Sequence, residues 1–343
     1  MRKILAPLLL GVGAFCWTTA LLLLVWVPGQ VKKTPLDTNS LTRLQGEAAY
    51  LTESRGPVKA ISRTVADGTA STGDTVVFQT FTCLVRNGDG QAGDCASAEG
   101  EGSRLINAGT DAFATDRVSG LAVQDQEKYL GADASPHDGL INKFPFDTEE
   151  KTYPFWDGIL DKAVDATFEG KEDVLGLPTY KFNLKVDQAP AEISSGIEGI
   201  YSVDKTMWID PVTGAIMKQQ ETQVRTLPDG GNALNMALAF TDETVAANVD
   251  SAKKNGSKLA LVGRLPWIAG AIGLVAIGLG LILARINGRE EEQAQPVMAS
   301  ESGHIGSSRF GEQPALGGAT AVAPAAAGAG EATAPRRVTL EKE

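Results

Sequence analysis

The stretch TFTCLVRNGDGQAGDC, residues 80–95, places two cysteines on either side of a run rich in glycine and aspartate. The preceding residues, VVFQTF, are typical of a β-strand, so the stretch predicts a β-hairpin with a glycine-rich turn. A disulfide between Cys83 and Cys95 would close a loop of about 13 residues and stabilise the fold by roughly 3 kcal/mol. Such bonds persist in oxidising compartments. Two unbonded buried thiols are the alternative. The pair therefore predicts a β-rich domain outside the cytoplasm.

Two stretches of the chain carry no charged side chain and are long enough to cross a bilayer. Residues 4–27 form the first, 24 residues long, and residues 265–284 form the second, 20 residues long. A hydrocarbon core of about 30 Å is crossed by about 20 helical residues. Basic residues and tryptophan lie near the ends of both stretches, as interfacial anchors do. The first is too long for the apolar part of a signal peptide and has no Ala-x-Ala site, which favours an uncleaved anchor.

The two predicted transmembrane helices divide the chain into a short N-terminus, a large middle segment and a tail. Residues 28–264, here called the ectodomain, would lie on one side, and residues 1–3 and 285–343 on the other. Arg2 and Lys3 favour a cytoplasmic N-terminus under the positive-inside rule. We therefore expect a two-pass plasma-membrane protein with both termini in the cytoplasm. The tail is rich in alanine, glycine and proline, which predicts disorder.

Alternating apolar and polar residues recur through the ectodomain, as in half-buried antiparallel strands. The strand-like runs are 58–66, 74–85, 165–170, 179–187, 205–210 and 215–227. Weaker helical patterns cover 156–165 and 231–254, and the second would carry the chain toward the membrane. The expected fold class is mainly β (α+β), an extracytoplasmic domain of curved antiparallel sheet held between N- and C-terminal transmembrane helices.

Small residues form a stripe on the second apolar stretch, at positions i, i+4, i+7 and i+11: Ala269, Gly273, Ala276 and Gly280. Such a stripe allows the close approach of another helix. Pairing of the two spans within one chain and formation of a homo-oligomer both remain open, and ordinary glycine and alanine usage is the alternative. Neither stretch contains an ionisable side chain, which argues against an ion path between them.

Aromatic residues are concentrated in FPFDTEEKTYPFW, residues 144–156. Such dense aromatic surface either builds a core or lines an apolar ligand cavity, and contact with the membrane surface is a third option. The cavity hypothesis assigns five residues to a ligand-binding site: Phe144, Phe146, Tyr153, Phe155 and Trp156.

The remaining residues restrict the chemistry. A formal net charge of −11 without a long basic run argues against nucleic acid. Asp157, Asp161 and Asp165 follow helical spacing, and a solvated helix face explains them more simply than calcium binding or glycoside hydrolysis. His137 is expected in a loop. The sequence lacks G-x-S-x-G, H-E-x-x-H and the Walker motif. We therefore expect no catalytic residue, no cofactor and no metal site.

Four segments carry a family resemblance: PGQVKKTPLDT (28–38), FPFDTEEKTYPFWD (144–157), VLGLPTYKF (174–182) and MWIDPVTGAI (207–216). Through them, about residues 1–285 resemble a family of actinobacterial envelope proteins labelled PorA-family porins. The label implies a pore. Outer-membrane pores, however, are closed β-barrels with an apolar lipid-facing band, whereas this chain is predicted to cross a membrane with two helices.

Two broader similarities imply lipid handling. WIDPVTG, residues 208–214, is similar to a strand–turn element of LolA-like lipid carriers. The layout of two terminal anchors is similar to that of the class B scavenger receptors. Three functions therefore stay open. The ectodomain binds or transfers an apolar envelope ligand, a lipid or lipoglycan; the chain is a structural or assembly scaffold of the envelope; or it is a porin-type channel component. Membrane lipids are expected partners throughout.

Overall fold

A computed structural model describes residues 2–96, 103–132 and 134–293. Ten strands form one antiparallel sheet: β1 (Asn39–Tyr50), β2 (Gly56–Asp67), β3 (Thr75–Arg86), β4 (Leu105–Asp116), β5 (Tyr153–Asp157), β6 (Lys162–Val174), β7 (Leu177–Ser194), β8 (Ile197–Ile209), β9 (Ile216–Thr226) and β10 (Asn232–Phe240). The described helices are α1 (Arg2–Val25), α2 (Pro28–Val31), α3 (Glu127–Leu130) and α4 (Asp242–Gln293).

The strand order is β4-β3-β2-β1-β10-β9-β8-β7-β6-β5. Two meanders, β1–β4 and β5–β10, thus meet where β1 pairs with β10. At one end the edge strands β4 and β5 are joined through short bridges: Thr115 pairs with Ala122, Leu121 with Leu140, and Leu140 with Phe155. The sheet therefore curls into a half-barrel, and the predicted fold class, mainly β with a curved antiparallel sheet between two apolar helices, is confirmed.

The later part of the segment between β4 and β5, residues 134–152, packs on the inner face of the curled sheet through Leu140 and Phe144. Leu140 and Phe144 from this segment are fully buried in one cluster with Phe182 and Met207. The outer face is covered by the start of α4, where Val245 packs with neighbours that include the β8 side chain Trp208. The core thus occupies both faces of β6–β9.

Helix α4 begins outside the predicted span and continues without a break through it. The predicted boundary at residue 265 therefore falls inside a single helix that runs from the sheet to Gln293. Both α1 and α4 contain a stretch long and apolar enough to cross a membrane, which fits a membrane-anchored protein. The predicted disordered tail starts at residue 285; its first residues continue α4 to Gln293, and residues 294–343 lie outside the described residues.

The small-residue stripe of the second span lies partly against α1. A β-carbon at Gly273 would come within 3.0 Å of the Gly13 carbonyl oxygen, and one at Gly280 within 3.2 Å of the Leu10 backbone nitrogen. Ala276 is buried, and the fourth member, Ala269, is half-buried. The structure thus shows the two apolar helices paired within one chain, which is one of the two arrangements left open by the sequence.

The helix predicted over residues 231–254 is wrong in its first part. Residues 232–240 form β10, in which Leu234, Met236 and Leu238 alternate onto the inner face. Alanine, leucine and methionine favour helices locally, but pairing with β1 and β9 decides the conformation here. From Asp242 onward the segment is helical, as predicted.

The helix predicted over residues 156–165 is also wrong. Strand β5 ends at Asp157 and β6 begins at Lys162, so this segment is a hairpin turn. The three aspartates consequently do not form one solvated stripe. Asp157 is buried, with 3% of its surface exposed, whereas Asp161 and Asp165 are exposed.

The disulfide between Cys83 and Cys95 is confirmed, with the two Cα atoms 5.8 Å apart. The expected hairpin differs in one respect, because Cys83 lies opposite Ala108 of β4 and Cys95 belongs to the connecting segment. That segment folds back so that Ala92 packs beside Cys83 and Ile61. The bond therefore fastens the β3–β4 connection to the sheet.

Candidate ligand-binding groove

Three of the five predicted aromatic residues form part of the packed core. Phe144, Tyr153 and Phe155 have 0%, 7% and 5% of their surface exposed. The Phe144 ring centroid lies 5.5 Å from that of Tyr153 and 5.6 Å from that of Phe155, the spacing of packed aromatic pairs. These rings fill the inner face of the half-barrel on the β5–β9 side.

The other two predicted residues lie elsewhere. Trp156 follows Phe155 along β5 and packs against His137, with ring centroids 4.8 Å apart and ring planes tilted by 46°. The Lys143 ammonium lies 3.7 Å from the centre of the Phe146 ring, a cation–π contact. The five aromatic side chains therefore do not meet around one common space, and ligand binding by this set stays a prediction.

An apolar groove occupies the other half of the inner face, along β1, β2, β3 and β10. Its cavity volume is about 190 Å³. We call it the inner groove. Its lining residues are Leu44, Ala60, Ile61, Ser62, Thr82, Cys83, Leu84, Asn107, Arg225, Leu234, Met236 and Leu238. Sites that enclose a whole drug-sized ligand measure about 300–1,000 Å³, so this groove is sized for part of a ligand.

A row of polar side chains on the inner face of β9 separates the groove from the aromatic core. Gln223 Nε2 donates to Glu221 Oε1 at 3.0 Å, and Arg225 Nε donates to Gln223 Oε1 at 2.8 Å. The Tyr201 hydroxyl donates to Asp157 Oδ2 at 2.9 Å. Lys205 Nζ lies 3.2 Å from Glu221 Oε2. Gln223 Nε2 also donates to the Tyr201 hydroxyl at 3.3 Å, so these side chains form one hydrogen-bonded network.

The network holds its charges in place by mutual compensation. Burial lowers the pKa of Lys205, but the carboxylates of Glu221 and Asp157 outweigh it, so the net shift is upward and the amine stays protonated. Burial is also the main cause of the raised pKa of Tyr201, which therefore remains a neutral donor. Two carboxylates and two cations enclosed together satisfy the rule that buried charges are paired.

Arg225 belongs both to the network and to the lining of the groove. Its Nη1 donates to the Ile193 carbonyl at 3.0 Å, which fixes the guanidinium plane. Burial lowers the pKa of Arg225, yet arginine stays charged in proteins at neutral pH. The groove therefore combines apolar walls with one positioned cation, an arrangement suited to an apolar ligand that carries an acidic group.

Local sequence patterns do not reveal this groove, although they contain part of its signal. The alternation of Leu234, Met236 and Leu238 marks one apolar strand face, but the same residues also favour a helix. The polar residues Glu221, Gln223 and Arg225 alternate in the same way along a run predicted as a strand. Their proximity to the groove depends on the pairing of β9 with β10, which no local pattern specifies.

His137 lies in a loop, as predicted, and its side chain is buried. Its Nε2 lies 3.0 Å from Asp111 Oδ2, and its ring packs between Phe113 and Trp156. Burial lowers the pKa of His137, but the hydrogen bonds and charge of its partners, chiefly Asp111 and the Ser135 carbonyl, raise it by more. The pKa of His137 is therefore raised overall. Within residues 2–96, 103–132 and 134–293, no three His, Cys, Asp or Glu side chains are grouped to hold a metal ion.

The comparisons with known proteins agree on one family. The model of the family described as Porin PorA matches residues 5–282. The chain belongs to the PorA porin family. A Porin PorA from Corynebacterium resistens is 24% identical, with 57% of this chain and 70% of that protein covered. One from Corynebacterium amycolatum is 21% identical, with 52% of this chain and 65% of that protein covered.

Among solved structures, a LolA superfamily protein from Nitrosomonas europaea is similar to this PorA-family chain. The match has 10% sequence identity and a TM-score of 0.14, and it covers 63% of this chain and 89% of that one.

In this PorA-family chain, two of the four segments that carry the resemblance dock on each other. The backbone N–H of Phe144 donates to the Gly214 carbonyl at 2.8 Å, and that of Thr148 donates to the Pro211 carbonyl at 2.8 Å. Gly214 has φ +73°, and a β-carbon there would overlap the Phe144 carbonyl. Glycine at this position thus lets the turn of residues 210–214 meet the segment that closes the core.

Proposed function

We propose that the ectodomain of this membrane-anchored PorA-family protein binds an apolar ligand of the cell envelope, a lipid or lipoglycan, in the inner groove. The observation that carries the proposal is an apolar cavity of about 190 Å³ bordered by the half-buried guanidinium of Arg225. Enclosing an apolar chain there removes its surface from water, which contributes about 25 cal/mol per Å² of buried apolar surface. The groove takes part of one chain, and the rest of the ligand stays outside.

Arg225 supplies the polar end of the site. Its Nε and Nη1 are engaged within the protein, so the guanidinium does not need to reorient when a ligand arrives. A phosphate or carboxylate beside it would form charge-assisted hydrogen bonds, which are stronger than neutral ones. Ligands with an acidic group next to an apolar chain therefore fit the site better than neutral ones.

Photocrosslinking tests the proposal on the full-length protein. The protein is reconstituted in nanodiscs with a diazirine-bearing fatty acid and irradiated. Peptide mass spectrometry then identifies the residues that carry a crosslink. We expect crosslinks in β1, β3 and β10, in addition to those that the apolar helices make with any bilayer probe. Ala60→Phe places a ring in the groove and should lower the groove crosslinks at least tenfold, while the crosslinks to α1 and α4 stay unchanged.

A matched control adds the same ring to the outer face. Gln45 follows the groove residue Leu44 on β1 and is exposed, so Gln45→Phe should leave the groove crosslinks intact. A folded, disulfide-bonded wild type without groove crosslinks would overturn the proposal. So would Ala60→Phe with undiminished crosslinks and an unchanged melting temperature.

The family description supports a second candidate, a porin-type channel component. In the described part of the chain, the two apolar helices approach so closely at Gly13 and Gly273 that each glycine faces the backbone of the other helix. This contact leaves no aqueous path between the two helices. A channel would therefore need several chains. Purified full-length protein in planar bilayers should then show conductance that rises steeply with protein concentration, and a silent bilayer would dismiss this candidate.

A further inference from the structure

Both connections to the membrane leave the ectodomain at the same end of the sheet. Helix α4 starts directly after β10 and reaches the tip of the β6–β7 hairpin, where Lys253 Nζ donates to the Leu175 carbonyl at 2.7 Å. On the N-terminal side, Lys32 Nζ lies 2.5 Å from Asp147 Oδ2. The β6–β7 tip, the β8–β9 turn and the segment after β4 all lie at this end, because the sheet is antiparallel.

Exposed apolar side chains mark this end. Leu175 is 60% exposed at the β6–β7 tip, Val212 is 39% exposed in the β8–β9 turn, and Val118 and Leu121 after β4 are each 41% exposed. We call these four residues the anchor-side rim. Backbone hydrogen bonds place two of the turns side by side, because Phe146 N–H donates to the Val118 carbonyl and Asp147 N–H to the Val212 carbonyl.

The N-terminal connection limits how far the rim can stand from the membrane. Six residues, 26–31, separate the end of α1 at Val25 from Lys32, and residues 28–31 of that link form the short helix α2. With at most about 3.6 Å per extended residue and 1.5 Å per helical residue, the link spans no more than about 20 Å. Trp26 at its start is 63% exposed, as expected of a tryptophan in the membrane interface.

The stretch of α4 between the sheet and the membrane adds basic charge. Residues 251–264 contain Lys253, Lys254, Lys258 and Arg264 and no acidic residue. Cations in this position attract the anionic headgroups of the membrane surface. Apolar tips together with nearby cations are the composition of interfacial membrane contacts.

We propose that the anchor-side rim rests in the interfacial region of the same membrane that α1 and α4 cross. Leu175 and Val212 would insert between headgroups, and the basic stretch of α4 would lie beside anionic lipids. The contact holds the ectodomain in one orientation, so that the opposite end of the half-barrel points away from the bilayer. This proposal is independent of whether the inner groove binds a ligand.

Fluorescence quenching tests the contact on the full-length protein. Single cysteines at Leu175→Cys and Val212→Cys, in a Cys16→Ser background with the native disulfide kept, are labelled with an environment-sensitive dye. The protein is reconstituted in phosphatidylcholine–phosphatidylglycerol vesicles that contain a shallow spin-labelled phosphatidylcholine. We expect quenching at both sites at least twofold greater than at Ile197→Cys. Ile197 is the matched control, 41% exposed at the tip of the β7–β8 hairpin on the opposite end.

Equal quenching at all three positions would overturn the proposal, because the ectodomain would then stand clear of the membrane. A second variant tests the apolar contribution. Adding Leu175→Asp to the Val212→Cys protein should reduce the quenching at residue 212 toward the Ile197→Cys level. Unchanged quenching in a variant with an intact disulfide and an unchanged melting temperature would equally count against the rim.

Discussion

Lys143 has an enclosed amine without a carboxylate in direct contact. Its Nζ lies 3.4 Å from Thr34 Oγ1 and 3.7 Å from the centre of the Phe146 ring. Burial lowers the pKa of Lys143 to about 7, although the charge of Asp116 opposes the shift. Below pH 7 the folded state therefore bears the cost of this charge. Between about pH 7 and 10.5 only the unfolded chain holds the proton, so this residue makes stability rise with pH.

Replacing Lys143 by methionine should remove both the cost and the pH dependence. We expect Lys143→Met to raise the free energy of unfolding by roughly 5 kcal/mol at pH 6, because the pKa falls from 10.5 to about 7 and each pKa unit corresponds to about 1.4 kcal/mol, and by much less at pH 10. Urea unfolding at the two pH values measures the difference. The control is Lys185→Met, because Lys185 is exposed and its replacement should change stability little at either pH. An equal effect of Lys143→Met at both pH values would contradict a lowered pKa of Lys143.

The disulfide fastens the β3–β4 connection to the sheet through Cys83, which is 2% exposed. The double substitution Cys83→Ser and Cys95→Ser should lower the free energy of unfolding by roughly 3 kcal/mol, the cost expected for freeing a loop of this length. Thermal unfolding of the oxidised wild type and the double variant measures it. A difference below about 1 kcal/mol would show that packing around Ile61 and Val85, not the bond, holds the connection.

At the scale of elements, the pairing of α1 with α4 makes a specific crosslinking prediction. A β-carbon at Gly270 would lie 3.9 Å from the Ala20 β-carbon, within the range of about 3.5–4.5 Å that a disulfide bridges. Ala20→Cys with Gly270→Cys, in a Cys16→Ser background, should therefore oxidise to a product of monomer mass. A product of dimer mass would instead indicate pairing between chains.

Two glycines on α4 provide a matched pair of variants for the same test. Gly273 lies against α1, whereas a β-carbon at Gly278 would meet nothing within 4 Å. Gly273→Leu should abolish the monomer crosslink because the two backbones can no longer approach, and Gly278→Leu should preserve it. Equal crosslinking in the two variants would contradict the helix pair described above.

Strands were easier to predict than helices, for a physical reason. In TYKFNLKVD, residues 179–187, polar and apolar residues alternate strictly, and the whole run lies inside β7. The alternation predicts the strand because side chains of a half-buried strand point in turn to the core and to solvent. Residues 231–254 combine good helix formers with an apolar alternation that favours a strand. In the first part of this range, only pairing with the neighbouring strands decides between helix and strand. The aromatic block was correctly recognised as apolar surface, but the position of Phe144 in a closed core depends on a crossing segment far from β7 and β8 in sequence.

The inner groove lies beyond local sequence analysis for a related reason. Arg225 and Leu84 line the same cavity although they lie on strands that three others separate in the sheet. The curl of the sheet brings them together. Curl depends on the register of many strand pairs, whereas each strand's own pattern specifies only which residues face inward.

In the whole molecule, the groove runs along the half-barrel from Leu44 and Leu238 near the anchor end toward the opposite end. Leu84, Asn107 and Leu234 sit within a few residues of the strand ends opposite the anchors. A 12-residue strand such as β3 spans about 40 Å at 3.4 Å per residue. An ectodomain fixed at the membrane by two helices would therefore present part of the groove away from the bilayer, where a ligand can be exchanged with a partner in the envelope.

An apolar ligand held in the inner groove should copurify with the protein. Full-length protein, oxidised and purified from an actinobacterial host, is analysed by native mass spectrometry and then by organic extraction. We expect one tightly bound species with an apolar chain and an acidic group per wild-type chain, and its loss from Ala60→Phe but not from Gln45→Phe. A folded, disulfide-bonded wild type that carries only its own mass would contradict ligand binding in the groove.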